Sequence, residues 1–412
     1  VEDKSRWITD TTDLLKDEAS AQLRADWIHH QFWLGEEAGW RSLVTWFVLG
    51  WEYDRSWTEG VLERIEEFAP HWPAQGRQRL KILQGGLRSF SADLESVQEL
   101  IELLEELGRR DWFKAQFAVE CGAIVKLARG DWLHRQEKYL EALQLFFDVD
   151  SDVPEQANQL KRSLAQSLSS SGWALVLIKG KPTPSPEGER AFQRAIVIQA
   201  DSTNHWNGLG SAQQGAKNYK KAIASYEKAI ELDPNDAAAY NNRGNALSDL
   251  GQKEDAIASY EKAIELDSKN SSLHGNLGWL YLECDRLDLA KHHTTKALKL
   301  KPDQGWLIFN LGLICALDNN LPEAIQHWKQ GIEIHTNLLF THFYTIVIGE
   351  QETGLEQLQH TLNNSESTID DIESILDDAE VLTRCPTPIP GLPEAIALLK
   401  TALEARQPKG SP

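Results

Sequence analysis

The side chains with the clearest chemical pattern are asparagines that recur at a fixed interval. Asn242, Asn276 and Asn310 follow one another at intervals of 34 in the sequence numbering. A carboxamide donates and accepts hydrogen bonds, so a column of such groups could bond the main chain of an extended peptide with little sequence preference. The same amides could instead bond locally, and the spacing is consistent with both interpretations. Further asparagines lie beside this column, at Asn207, Asn241 and Asn245.

Motifs for catalysis or cofactor binding are not found in the sequence. It has no G-x-x-x-x-G-K-[ST] phosphate loop, no H-E-x-x-H segment and no C-x-x-C pair among its four cysteines. His292 and His293 are adjacent, and adjacent side chains on a helix point about 100° apart, which is poor geometry for one metal ion. His327 belongs to no known ligand spacing, and Cys315 falls at a position that is normally packed. We therefore expect no enzyme activity, no metal and no cofactor.

The elements that carry the asparagines are repeated units. The dodecapeptide AIASYEKAIELD occupies residues 222–233 and occurs again at 256–267, so the second copy begins 256 − 222 = 34 positions after the first. A unit of this length cannot bury its apolar face alone and must stack on its neighbours. Glycine and alanine recur with the same period, at Gly210, Gly244, Gly278 and Gly312 and at Ala222, Ala256, Ala290 and Ala324.

These positions resemble the tetratricopeptide repeat (TPR) family, whose helix-turn-helix unit has a period of about 34 residues. Four regular units follow one another at 203–236, 237–270, 271–304 and 305–338. The glycine near the middle of helix A lets helix B approach closely, and the large residue four positions earlier lies on the same face. The resemblance implies an all-α fold, a right-handed superhelical α-solenoid of TPR and TPR-like helical hairpins.

The resemblance also implies a binding groove, because positions 2, 5, 6, 9, 12 and 13 of helix A face the concave side in this family. No lysine or arginine occupies positions 2, 5, 6 or 9 of the four units, so a clamp for a terminal carboxylate is not expected. The groove should change from amide-rich in the first two units to aromatic in the last two. The predicted peptide-binding residues are Asn207, Asn241, Asn242, Asn245, Asn276, Trp279, Trp306, Phe309 and Asn310.

The flanks of the regular units are expected to be more divergent helices. Residues 1–147 form a Trp-rich helical or TPR-like region, in which a signature W-x-x-L-G-x-x-Y marks a divergent repeat at 43–76. Residues 148–202 form a degenerate helical pair with a Pro-rich loop. Residues 339–412 form a shortened pair and capping helices. Within the first region we predict helices at about 77–90, 93–108, 111–129 and 131–147.

Composition restricts the partners and the compartment. The formal net charge is −20, which opposes binding to a phosphate backbone, so we expect no nucleic-acid partner. The longest apolar stretches are too short to span a bilayer, and without a signal peptide the cytoplasm fits best. Ten of the 15 tryptophans lie at or before residue 132. They could fill the core or line a partner surface.

The expected function is a noncatalytic interaction scaffold that binds a peptide or protein segment in the concave groove. One alternative is the sensor or regulatory arm of a larger bacterial signal-transduction ATPase, whose phosphate loop would lie outside this chain. Another is an enzyme on a helical-repeat scaffold, for which the sequence offers no residue set. The identity of the partner and any self-association are left open by the sequence.

Overall fold

A computed structural model gives the structure of the protein for part of its length. The predicted repeat at 43–76 and the predicted helix at 111–129 lie almost entirely outside the described residues. The described residues are 74–88, 125–150, 158–178, 181–334, 337–363 and 368–406, with single helical positions between 62 and 123.

The described part of the chain is built from helices, with one two-residue antiparallel ladder in the Pro-rich loop. In these ranges no helix combines the length and the apolar character needed to cross a membrane. The elements, in chain order, are α1 (Ala74–Arg88), α2 (Tyr139–Asp150), α3 (Asn158–Val176), β1 (Leu177–Ile178), β2 (Lys181–Pro182), α4 (Pro186–Ile198), α5 (Thr203–Gly215), α6 (Tyr219–Leu232), α7 (Ala237–Asp249), α8 (Lys253–Leu266), α9 (Ser271–Glu283), α10 (Leu287–Leu300), α11 (Gly305–Leu317), α12 (Leu321–Ile334), α13 (Leu338–Val347), α14 (Gln351–Asn363), α15 (Ile369–Thr383) and α16 (Leu392–Arg406).

The chain divides into two compact units, Val1–Asp233 and Pro234–Pro412. The division falls after the first regular repeat, at a proline that cannot continue the preceding helix. The first unit contains the elements up to α6, and the second contains α7 to α16. The segment boundaries predicted at 147, 202 and 338 do not coincide with this division and stay predictions.

One backbone conformation closes each regular hairpin. The second residue after helix A has a positive φ, and the N–H of the residue that follows it donates to a carbonyl five residues earlier, as from Gln252 to Leu247 (2.9 Å). This is the Schellman arrangement, which satisfies carbonyls at a helix end. The left-handed residues are spaced by 34 and are Lys217, Gly251, Asp285 and Asn319, with φ of 58°, 82°, 55° and 58°.

The same turn occurs outside the regular repeats, where the sequence pattern is weak. Glu137 and Gly349 have φ of 61° and 104°. Lys138 N donates to Leu133 O at 3.0 Å, and Glu350 N donates to Thr345 O at 3.1 Å. Two further hairpins are therefore of the same kind. One joins helical residues 125–135 to α2, and the other joins α13 to α14.

The helix boundary predicted at residue 130 is wrong. The helix continues through Gly130, and the turn lies at 136–138. A Cβ atom on this glycine would lie 2.2 Å from Cε1 of Phe146, which is fully buried in α2. Gly130 therefore lets its helix pack closely against α2 and does not break the helix.

The same contact between glycine and a large side chain forms the centre of the regular hairpins. The helix A glycine faces the residue 16 positions later on helix B, and an added Cβ would clash with that residue. The third repeat has a buried threonine in place of the ring. The pairs, with the distance from the added Cβ, are Gly210 and Tyr226 (2.6 Å), Gly244 and Tyr260 (2.8 Å), Gly278 and Thr294 (2.6 Å), and Gly312 and Trp328 (2.2 Å).

Candidate functional site

Four of the predicted asparagines form a surface on the helix A segments of the second and third repeats. Asn241, Asn242 and Asn245 lie on α7 and Asn276 lies on α9, and all four are partly exposed. The Nδ2 of Asn276 donates to Oδ1 of Asn241 at 3.0 Å, and Nδ2 of Asn241 donates to Oδ1 of Asn242 at 3.4 Å. The structure thus joins neighbouring repeats through their amides, and we call these four residues the amide surface.

Side-chain caps begin the helices that carry this surface. The carboxylate of Asp236 accepts hydrogen bonds from the N–H groups of Ala238 and Ala239 at the start of α7. At the start of α9, Asn270 accepts from the N–H of Ser272. Such caps satisfy donors that a helix end leaves open, and they fix where each helix begins. The two caps are separated by one repeat period, so equivalent positions of α7 and α9 are matched.

Asn245 has a structural partner within its own repeat. The hydroxyl of Tyr260 donates to its Oδ1 at 2.6 Å. Burial raises the pKa of Tyr260 well above its ordinary value, so the hydroxyl keeps its proton and remains a donor. The bond fixes the orientation of the Asn245 amide at the edge of the surface.

The two predicted tryptophan anchors are partly exposed, and each indole N–H bonds near its own position in the chain. Trp279 Nε1 donates to Glu283 Oε1 at 3.0 Å, and Trp306 Nε1 donates to Gln304 Oε1 at 3.1 Å. The Trp306 ring lies on Gly275 of α9, where an added Cβ would be 2.3 Å from Cη2. Trp279 adjoins the amide surface, whereas Trp306 covers the backbone of the preceding repeat.

The predicted aromatic end of the groove is a core region in the structure. Phe309 is 1% exposed and stacks on Tyr344 of α13, with ring centroids 4.3 Å apart. Asn310 is 7% exposed, and Leu313 is fully buried. The expectation of an open apolar anchor at Phe309 is therefore corrected, because its ring packs against the next hairpin.

Helix α15 packs against α11 and is part of the reason for this burial. The Tyr344 hydroxyl donates to Oδ2 of Asp378, a buried residue of α15, at 2.7 Å. Burial raises the pKa of Asp378 to about 7. After the end of α15, Arg384 Nη1 forms an ion pair with Asp285 Oδ1 at 2.8 Å. Helix α15 thus packs on α11, where the sequence predicted an open groove.

One signal for this covering was present in the sequence. Nearly every residue of α11, GWLIFNLGLICAL, is apolar, and its residues from Leu307 to Ala316 are all buried. A helix that is apolar on all sides is normally surrounded by other elements. The repeat pattern instead predicts an open inner face for helix A, and it therefore did not indicate the burial of α11.

Asn207 lies in the other compact unit and is not part of the amide surface described above. It is 7% exposed in α5. Its neighbour Asn204 is tied to α3, donating to Ser169 Oγ at 3.0 Å and accepting from Trp173 Nε1 at 3.1 Å. In this unit the polar face of α5 therefore packs against α3.

Comparison with protein families agrees with the repeated geometry. A family model described as TPR repeat matches residues 216–251, and two models described as tetratricopeptide repeat match residues 237–270 and 259–292. Residues 216–292 of this chain are tetratricopeptide repeats, a class of helical hairpins that serves as protein-interaction scaffolds. For the residues that the structure describes, the prediction of an all-α fold built from TPR and TPR-like hairpins is confirmed. No curated protein matches the chain.

Several solved structures match part of the chain. MamA 41-end from Desulfovibrio magneticus RS-1 is 18% identical, covers 42% of this chain and 94% of its own, and has a TM-score of 0.37. YrrB, described as a TPR protein with an unusual peptide-binding site, is 21% identical, with 45% and 98% covered and a TM-score of 0.33. TTC0263, described as a thermophilic TPR protein in Thermus thermophilus, is 21% identical, with 47% and 98% covered and a TM-score of 0.32.

Proposed function

We propose that this protein is a noncatalytic scaffold that binds an extended peptide or protein segment at the amide surface of α7 and α9. The observation that carries the proposal is the bond between Asn241 and Asn276, which aligns amides of two successive repeats at a partly exposed position. The repeat family supplies the general role, and these side chains supply the site.

The hydrogen-bonding capacity of the amides supports this choice. Each carboxamide has two N–H donors and an oxygen with two lone pairs, and one inter-repeat bond uses only part of that capacity. An extended main chain presents alternating donors and acceptors, so it can add bonds to such a pair. The partly exposed ring of Trp279 lies on the same helix as Asn276 and offers an apolar contact beside the amides.

The proposed surface is shorter than the groove predicted from the sequence. The proposed site comprises the amide surface (Asn241, Asn242, Asn245 and Asn276) and the adjoining Trp279, all on α7 and α9. Phe309 and Asn310 are excluded from it because they are buried, and Asn207 because it belongs to the other compact unit.

Paired substitution of the amides tests the proposal. Peptides are first selected against the full chain from a display library of random sequences, and their affinity is measured by isothermal titration calorimetry. Asn241→Ala with Asn276→Ala should weaken binding roughly tenfold or more, since each lost hydrogen bond contributes about 1 kcal/mol. The substitution removes both partners of the inter-repeat bond. Only Asn242 loses a donor, and its side chain is partly exposed, so helicity should be retained.

The matched control replaces two exposed amides of helix B, Gln326→Ala with Gln330→Ala, which lie on α12. This double variant should bind the selected peptides with unchanged affinity. Equal affinity of the Asn241/Asn276 variant and the wild type would rule out the amide surface as the binding site. Failure of the library to yield any binder to the folded chain would contradict the proposed function itself.

A further inference from the structure

Three side chains with metal-binding donor atoms meet across the hairpin of the fourth repeat. Cys315 comes from the last turn of α11, and Glu323 and His327 come from successive turns of α12. One donor atom of each lies within 4.8 Å of the other two. His327 Nε2 and Glu323 Oε1 are 3.8 Å apart. Cys315 is fully buried, so the group reaches from the hairpin interior toward the surface.

The donor spacing is close to that of a tetrahedral site. Bond lengths of about 2.0–2.3 Å to Zn²⁺ place neighbouring ligand atoms roughly 3.3–3.8 Å apart. The observed separations therefore require a contraction of at most about 1.5 Å. Glu323 is held in place, since its Oε2 accepts from Asn320 Nδ2 at 2.6 Å. Such a neighbouring bond orients a ligand carboxylate.

The other regular repeats show that this cluster is not a requirement of the fold. The corresponding positions of the second repeat hold Leu247, Asp255 and Ser259. In the first repeat, the positions that correspond to Cys315 and His327 are also in contact, because Ser225 Oγ donates to Gln213 Oε1 at 2.8 Å. The turn geometry thus brings these positions together in more than one hairpin, and the fourth repeat places a thiol, a carboxylate and an imidazole there.

We propose that Cys315, Glu323 and His327 bind one Zn²⁺ ion, which clamps helices α11 and α12 beside their turn. A thiolate and an imidazole are ligands for Zn²⁺, whereas Mg²⁺ and Ca²⁺ prefer oxygen alone. The three protein ligands leave a fourth coordination position for water. The sequence gives no metal-binding motif here, because the thiol comes from one helix and the other two ligands from the next.

One cation near the cluster should weaken metal binding. Lys291 Nζ lies 3.6 Å from Glu323 Oε1, the same oxygen that faces His327. Its partly exposed ammonium group would have to move away for that oxygen to ligate Zn²⁺. Lys291→Met removes the competing charge and keeps an apolar side chain of similar length. We expect this variant to bind Zn²⁺ several-fold more tightly than the wild type.

Equilibrium dialysis of the full chain against buffered Zn²⁺, followed by elemental analysis, measures the stoichiometry. Cys315→Leu and His327→Ser introduce the residues found in the second repeat, and Glu323→Gln keeps the shape of the side chain. Each variant should lose one equivalent of Zn²⁺ relative to the wild type while its circular dichroism stays unchanged. Cys385→Ser, which replaces another partly buried free thiol, should retain that equivalent.

Cobalt substitution identifies the ligands. The wild type loaded with Co²⁺ should show the strong visible bands of tetrahedral coordination and a thiolate charge-transfer band in the near ultraviolet, and Cys315→Leu should lack both. Equal Zn²⁺ stoichiometry in the wild type and the three ligand variants would overturn the proposal. A Lys291→Met variant with unchanged or weaker affinity would exclude Glu323 Oε1 as a ligand.

Discussion

At the scale of single residues, the left-handed turn position shows how backbone conformation limits side-chain choice. Four residues occupy this conformation at intervals of 34, and only the second repeat places glycine there. A residue with a Cβ pays roughly 1–2 kcal/mol for this conformation. Because Lys217, Asp285 and Asn319 accept that cost, the turn must be determined by the hairpin as a whole.

Gly251→Ala tests this cost without a steric complication. A Cβ at this position meets no atom within 4 Å, so any loss of stability comes from the backbone torsion. We expect the free energy of unfolding to fall by about 1 kcal/mol in urea denaturation of the full chain. The reciprocal change Lys217→Gly should stabilise the protein by a similar amount. An unchanged midpoint for Gly251→Ala would contradict a left-handed residue at this turn.

Residue identities in the regular repeats were predictable, but their exposure was not. The column of Asn242, Asn276 and Asn310 follows from spacing alone, yet the structure leaves the first two partly exposed and buries the third. That difference depends on elements such as α15, more than 50 positions beyond Asn310 in the chain. A repeat pattern describes a residue within its own unit and cannot report such a distant neighbour.

At the scale of elements, the helices follow closely from the sequence. Within residues 339–412, where the sequence predicted a shortened pair and capping helices, the structure has the pair Leu338–Val347 and Gln351–Asn363. The helices Ile369–Thr383 and Leu392–Arg406 follow it. Period and capping residues are local signals, which explains this agreement. The prediction failed at residue 130, where a local glycine signal was overridden by tertiary packing.

The attachment of α15 should depend on pH through Asp378. Its folded pKa of about 7 is raised from the ordinary value of 3.8, so the folded protein holds a proton that the unfolded chain releases. Its contribution to stability is complete below about pH 4 and is lost as the pH rises to about 7. Over this range the free energy of unfolding should fall by at most about 1.4 kcal/mol per pH unit.

Asp378→Asn removes this titration, so its stability should change less steeply than that of the wild type between pH 4 and 7. Chemical denaturation at several pH values measures both slopes, with hydrogen exchange in residues 369–383 as a local readout. The control is Glu373→Gln, because Glu373 is an exposed carboxylate on the same helix. Parallel slopes for the wild type and Asp378→Asn would show that the buried carboxyl does not control this attachment.

At the scale of the whole molecule, the chain consists of two compact units, and the second contains the amide surface and the Cys315 cluster. Repeat arrays derive their stability from contacts between neighbouring units, so a division within the regular repeats need not prevent folding of either part. In the second unit, Asp236 caps the start of α7, and α16 packs against α14 at the other end.

A chain limited to Pro234–Pro412 should therefore fold by itself. We expect a helical circular dichroism spectrum, a cooperative thermal transition and blue-shifted emission from Trp328, which is fully buried. The full chain measured under the same conditions is the reference. A random-coil spectrum of the fragment would show that the second unit depends on the first for its structure.

The packing of α15 on α11 also has a consequence for what can be bound. A peptide lying along α7 and α9 finds the equivalent face of α11 already occupied by the protein itself. A long straight ligand would have to displace α15 to continue in the same direction. Under the proposed function, we therefore expect a preference for short epitopes, free chain ends or segments that bend away after two repeats. Selectivity would then rest on ligand length more than on side-chain identity.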